Sequence, residues 1–238
     1  MAAGIGIENE SSLHRHLKLK YAGRRGKTEV EVSGFIADAV DATGRFIEIQ
    51  TTDFSKMRKK AGELAALGGL TVVHPVALDK YIETFDSNGR QVRRRRSGRR
   101  GSPWDVFTPL VHAPELPLVA NLSIEIALVD IAEERVMDGK GSWRRKGVSI
   151  QDRRLLEVRD TVCLEKPCDY LRFIPFTRKD DFTVALLGEK AGISTGLAGK
   201  ALYVLSKIGI VRRVGKKGNA YVYRLQATSR TKKWKKKP

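Results

Sequence analysis

Asp38, Glu48 and Gln50 are the residues whose types and spacing could do chemistry. Residues 28–41 (TEVEVSGFIADAVD) and 45–53 (RFIEIQTTD) alternate as strands do, and the turn between them at Thr43-Gly44 makes them a hairpin. Successive strand side chains face opposite ways, so Asp38 falls with Ile36 and Val40, and Glu48 with Phe46 and Gln50. The hairpin brings the two carboxylates together among apolar neighbours. Burying ionised carboxylates costs several kcal/mol unless a cation compensates them. A hard divalent ion, Mg2+ or Mn2+, bound by two carboxylates and water is the matching chemistry.

The elements that must position them follow from periodicity. Leu13, Leu17 and Tyr21 mark one face of a helix over residues 8–22. The hairpin comes next, its first strand bent at Gly34, followed by a helix over 55–67 with Ser55 as N-cap. A buried strand over 68–82 ends near Pro75, giving the order α-β-β-α-β. FIADAV followed by FIEIQT, in that order of elements, resembles the PD-(D/E)xK phosphodiesterase superfamily, in the branch with E-x-Q that includes the competence-nuclease-like proteins. The resemblance covers residues 8–85 and implies a restriction-endonuclease-like α/β core. It implies that Asp38 and Glu48, with the carbonyl of Ile49, hold the metal, that Gln50 orients the attacking water, and that Glu10 assists from the first helix. The superfamily's Lys is Gln50 here, so Lys18 or Lys56 must supply the cation, or activity falls.

Charge points to the substrate. Lys plus Arg number 45 against 27 for Asp plus Glu, a net +18 that attracts polyanions. The first 85 residues are nearly neutral, so the excess lies beyond them. Residues 86–104 carry Arg93, Arg94, Arg95, Arg96, Arg99 and Arg100 and read as a mobile basic arm; Arg144, Arg145 and Lys146 sit on a second basic tip. Trp104 and Trp143 flank these runs, as suits tracking a nucleic-acid backbone. Residues 155–174 read as a connecting segment. His14 and His16, two apart on a helix, face different ways and read as surface or supporting groups rather than metal ligands.

Residues 181–225 form a compact module in sequence. Thr183 and Ser194 can cap two short helices joined by a Gly-Ile-Ser turn, and two alternating strands then meet at a basic tip, residues 215–219. That order resembles winged helix-turn-helix domains, which implies that Thr195, Gly196 and Lys200 on the second helix enter a DNA groove. Arg212, Arg213, Lys216 and Lys217 would touch phosphates from the wing. The helix offers no Arg, Asn or Gln in its first turns, so phosphate contact outweighs base readout.

The expected organisation is a nuclease-like domain over 1–154, a connecting segment over 155–176, a winged helix-turn-helix domain over 177–227 and a basic, disordered tail over 228–238. Cys163 and Cys168 read as free thiols, and no membrane span or signal segment stands out, so the cytosol is the expected place. The expected activity is metal-dependent DNA endonuclease, with DNA as partner and a homodimer left open. The alternative is a non-enzymatic DNA-binding or regulatory protein with a degenerate nuclease-like domain.

Overall fold

The computed structural model describes residues 10–226, so the basic tail of residues 228–238 lies outside them. Helix α1 (Ser12–Ala22) starts where the Ser11 side chain accepts the His14 N–H. Strands β1 (Lys27–Val32), β2 (Phe35–Val40) and β3 (Phe46–Ile49) follow, then helix α2 (Met57–Gly68) and strand β4 (Leu70–Phe85). Strand β5 (Gln91–Arg96), the short helix α3 (Phe107–Leu110) and strands β6 (Leu122–Val136) and β7 (Ser149–Leu164) complete the larger body. The chain ends in helices α4 (Val184–Ala191) and α5 (Thr195–Lys207) and the hairpin β8 (Val211–Lys217) and β9 (Ala220–Leu225).

The protein is thus mixed α/β. Seven strands form one sheet in the order β1-β2-β3-β4-β6-β7, with β5 attached to β4. β3, β4 and β6 run parallel, and the outer strands are antiparallel to their neighbours. α1 covers one face through Leu13 and Leu17, which pack on Ala39, Ile47, Ile49 and Val73. The opposite face meets Met57, Ala61 and Leu64 of α2 in a larger core.

Five sequence expectations change. The single bent strand over 28–41 is two strands, because Ser33 and Gly34 both take positive φ (49° and 76°) and fold it into a hairpin, giving α-β-β-β-α-β. β4 does not stop near Pro75 but runs ten residues further. Val73 O accepts from Gln50 N on the β3 side, and Pro75, two residues on, faces the same edge after β3 has ended, so its missing N–H breaks no ladder. The arginine arm is not mobile: β5 pairs with β4 along that vacated edge. Residues 155–164, read as the start of a connecting segment, belong to β7 and pair with β6. At α2 the turn is built by Asp53, which accepts from Ser55 N–H, rather than by Ser55 capping the helix.

The C-terminal helices and hairpin share a core with the sheet. Thr183 and Ser194 cap α4 and α5 as expected, accepting from Leu186 N and Leu197 N. α5 buries Ala198, Ala201, Leu202 and Leu205, α3 packs against it, and Phe107 stacks edge-on with Phe173 at 4.9 Å. Phe107→Ala should therefore cost about 3–5 kcal/mol. It should lower sheet and C-terminal module together, in one denaturation transition followed by circular dichroism and by Trp104 emission. Two separated transitions would show instead that the parts fold independently.

Candidate active site

β2 and β3 pair only at Ala39 with Ile47 and Val40 with Phe46, then part. Asp38 stands at that fork, and its Oδ2 accepts the Ile49 N–H at 2.7 Å, replacing a ladder bond the diverging strand no longer offers. Gln50 N–H points the other way, to Val73 O at 2.8 Å, so across the intervening trans peptide the Ile49 carbonyl faces the fork. Gln50 O accepts from His74 Nδ1 at 2.6 Å, which pins the end of β3.

Glu48 is 1% exposed and turns to the α2 side, where Lys60 Nζ lies 2.6 Å from its Oε1. Lys60 also reaches the Ile36 carbonyl at 3.4 Å. The expected cation sources were Lys18 and Lys56; Lys60, one helical turn past Lys56, takes that place. Only the helix frame of α2 reveals this, because nothing in the sequence separates Lys60 from the neighbouring basic residues. Lys18 is instead buried between Glu10 (2.8 Å) and Glu29 (2.9 Å), and these partners raise its pKa although burial alone would lower it.

Of the two histidines read as surface or supporting groups, His14 stands beside Asp38. Its Nε2 lies 3.2 Å from Asp38 Oδ2 and 3.5 Å from Glu10 Oε1. Glu10 therefore reaches Asp38 through His14 rather than directly. Burial pushes the Asp38 carboxyl up, but the hydrogen bond and charge of His14, with the Ile49 N–H and Lys60, hold it below the ordinary carboxylate range. Glu48 goes the other way: burial first, then the Asp38 charge, push it up to about 7 against the pull of Lys60.

Those two shifts define a pair of neighbouring carboxylates that resist joint ionisation. No group of three or more His, Cys, Asp or Glu side chains that could hold a metal ion occurs among the described residues. Asp38, Glu48 and the Ile49 carbonyl nevertheless present oxygen donors of the type a hard cation takes.

The basic residues fall into two groups. Arg94 Nε lies 3.3 Å from Glu83, Arg96 pairs with Asp79, and Arg99 Nη2 lies 3.1 Å from Asp105. Arg93 and Arg95, on the other face of β5, form no ion pair among the described residues, and Arg100 is exposed. Trp104 packs on Phe107 and Phe173 rather than on a nucleic-acid path. Arg144 lies over the Trp143 ring at 5.5 Å, Arg145 Nε donates to Val148 O, and Lys146 takes a left-handed φ of 52°. Thr195 and Gly196 are exposed at the start of α5, while Lys200 turns back toward Thr108 Oγ1 at 3.4 Å. On the terminal hairpin Arg213 and Lys216 stand over Tyr221 at 4.1 and 4.9 Å, with Arg212 and Lys217 exposed.

An α/β sheet that carries a carboxylate pair at a strand fork, with cations supplied from both faces, is the class these features define. The chain belongs to the family described as Domain of unknown function (DUF8091), whose model matches residues 11–165. That span begins at the cap of α1 and ends just past β7, so the fork and the whole seven-stranded sheet lie inside it. The chain is also similar to a Treponema pallidum (strain Nichols) protein described as "Uncharacterized protein", 32% identical over 157 residues. The match covers 66% of this chain and 62% of that protein, so it spans less than two thirds of the relative's length. No solved structure matches, and no helix among the described residues is long and apolar enough to cross a membrane.

The pH dependence of stability follows from Glu48. Between its ordinary 4.5 and about 7 the folded protein keeps a proton that the unfolded chain has lost, so stability falls as pH rises through that window and levels above it. Glu48→Gln should remove this component. Thermal melts should show the variant gaining on wild type between pH 4.5 and 7, by up to about 3 kcal/mol. A difference independent of pH would place the Glu48 titration outside this window.

Proposed function

We propose that the protein is a metal-dependent DNA endonuclease with a restriction-endonuclease-like core, and that its C-terminal helices and hairpin act as a winged helix-turn-helix that holds DNA. The observation that carries the reading is the convergence of Asp38 from β2 and Glu48 from β3 at one fork, with His14 and Glu10 on one side and Lys60 on the other. The order α-β-β-β-α-β, with β3 parallel to β4, supports it.

Asp38, Glu48 and the Ile49 carbonyl would hold Mg2+ or Mn2+, which supplies an acidified water and neutralises charge on the scissile phosphate. Lys60, beside Glu48, would substitute for the superfamily's strand lysine and offer a fixed cation near the charge that develops on phosphate. His14, held by Glu10, orients Asp38 toward the fork. Gln50 follows directly on the Glu48-Ile49 pair and would orient the water. The terminal hairpin and the exposed N-terminus of α5 would contact phosphates, with little base readout.

The ion pairs that already neutralise Glu48 and Asp38 favour one second reading, a DNA-binding protein without cleavage. One assay separates the two. Wild type incubated with supercoiled plasmid in Mn2+ should nick it. Asp38→Ala and Glu48→Ala should lose cleavage at least about 10^3-fold while binding DNA as well or better, since each removes a negative charge facing phosphate. Lys60→Ala should slow cleavage by roughly 10–100-fold without changing binding. DNA bound but left uncut under all these conditions would establish the non-enzymatic reading.

A further inference from the structure

Strands β4, β6 and β7 are far longer than the fork requires. Glu48 is level with Val72 and Ile124, and β6 continues for about a dozen residues beyond that level. At about 3.3 Å per residue the strands extend roughly 40 Å past the fork. β5 flanks this extension, and the loop of residues 137–148 closes its far end.

That loop is rigidly made. Gly141 N–H donates to Gly147 O at 2.9 Å, Arg145 N–H to Ser142 O at 2.9 Å, Lys146 N–H to Trp143 O at 3.0 Å and Val148 N–H to Arg145 O at 3.0 Å. Asp138 ties its two ends, accepting from Lys140 N–H at 3.0 Å and from Ser149 Oγ at 2.8 Å. A Cβ on Gly141 would collide with the Val148 backbone, so the close approach needs glycine there. All this order presents Trp143 to water: its side chain is 82% exposed, one face covered only by the Arg144 guanidinium. Holding an indole in solvent gains nothing for folding, because no apolar surface is removed from water. Lys140, Arg144, Arg145 and Lys146 belong to the same loop, with no acidic residue between positions 139 and 148.

We propose that Trp143 is a stacking platform for an unpaired nucleobase. The substrate is then DNA with a duplex-to-single-strand junction, its duplex lying along the strand extension and its unpaired strand at the loop. The inference rests on the DNA reading above and deepens it to a substrate class. An indole with a guanidinium on one face stacks on any base, and the four cations hold the phosphates on either side. Arg93 and Arg95, exposed along the extension, suit the duplex between tip and fork.

The test uses the full chain in EDTA, so that binding is read without cleavage. Anisotropy is measured on a labelled forked duplex, a blunt duplex and a single strand, beside intrinsic tryptophan emission. Trp143→Ala should weaken binding to the fork and the single strand roughly tenfold and leave the blunt duplex within about twofold. Trp143→Phe should restore most of the loss, and forked DNA should quench wild-type emission but not that of Trp143→Ala. Because Trp143 lies outside the core, the variants should melt as wild type does. Unchanged affinity for the fork, or equal loss on fork and blunt duplex, overturns the proposal while the DNA reading stands. Emission that answers to vesicles containing phosphatidylserine and not to forked DNA overturns it in favour of a membrane contact. Failure of wild type to bind any of the three DNAs overturns both.

Discussion

The candidate site depends on the parting of β2 and β3. While paired, the strands spend their backbone groups on each other; once they diverge, Ile49 N–H needs another acceptor and finds Asp38. That single bond draws a carboxylate into the gap beside Glu48, where burial and mutual repulsion would drive both toward neutrality. The two groups meet opposite outcomes: His14 from α1 helps hold Asp38 ionised, while Lys60 from α2 only partly offsets the rise at Glu48. Packing helices on both faces of the sheet is therefore an electrostatic requirement as much as a hydrophobic one.

A second constraint comes from strand length. β3 ends at Ile49 while β4 and β6 continue, so the sheet is wide at the fork and narrows to a four-stranded extension beyond it. α1 lies along one face of this extension, where Leu13 and Leu17 share a core with Val129 and Ile131 and Ser12 N–H donates to Asp152, and ion pairs hold the strands beyond it. Glu83 meets Arg94 and Arg154, and buried Glu133 meets Lys80, Arg135 and Arg153. The arginines thus divide into those that tie strands together and those that remain available to a polyanion.

The smaller body at the C-terminus is anchored through aromatic packing. Phe176 stacks on Phe182 at 4.3 Å, Phe182 bonds through its backbone to Tyr223 in both directions, and α5 lies against α3. This fixes the exposed start of α5 and the basic hairpin relative to the sheet. It also turns Lys200 inward, toward Thr108, and away from the open face that Thr195 and Gly196 occupy.

The sequence by itself determined a first helix on the Leu13, Leu17 and Tyr21 face, the helices capped by Thr183 and Ser194, the hairpin at Thr43-Gly44 and the terminal helix pair with its basic hairpin. Each is set by local rules of periodicity, capping and turn chemistry, which act within a few residues. Alternation also put Asp38 and Glu48 forward as a pair. Local rules could not show that Ser33-Gly34 reverses the chain, nor that Pro75 is tolerated, since the latter depends on where a neighbouring strand ends. A run of arginines looks like a solvated arm until acidic partners from β4 are seen opposite it. Which lysine serves Glu48, and whether His14 meets Asp38, were decided by tertiary structure alone, because the contacts join elements whose angles follow from packing on the two faces of the sheet.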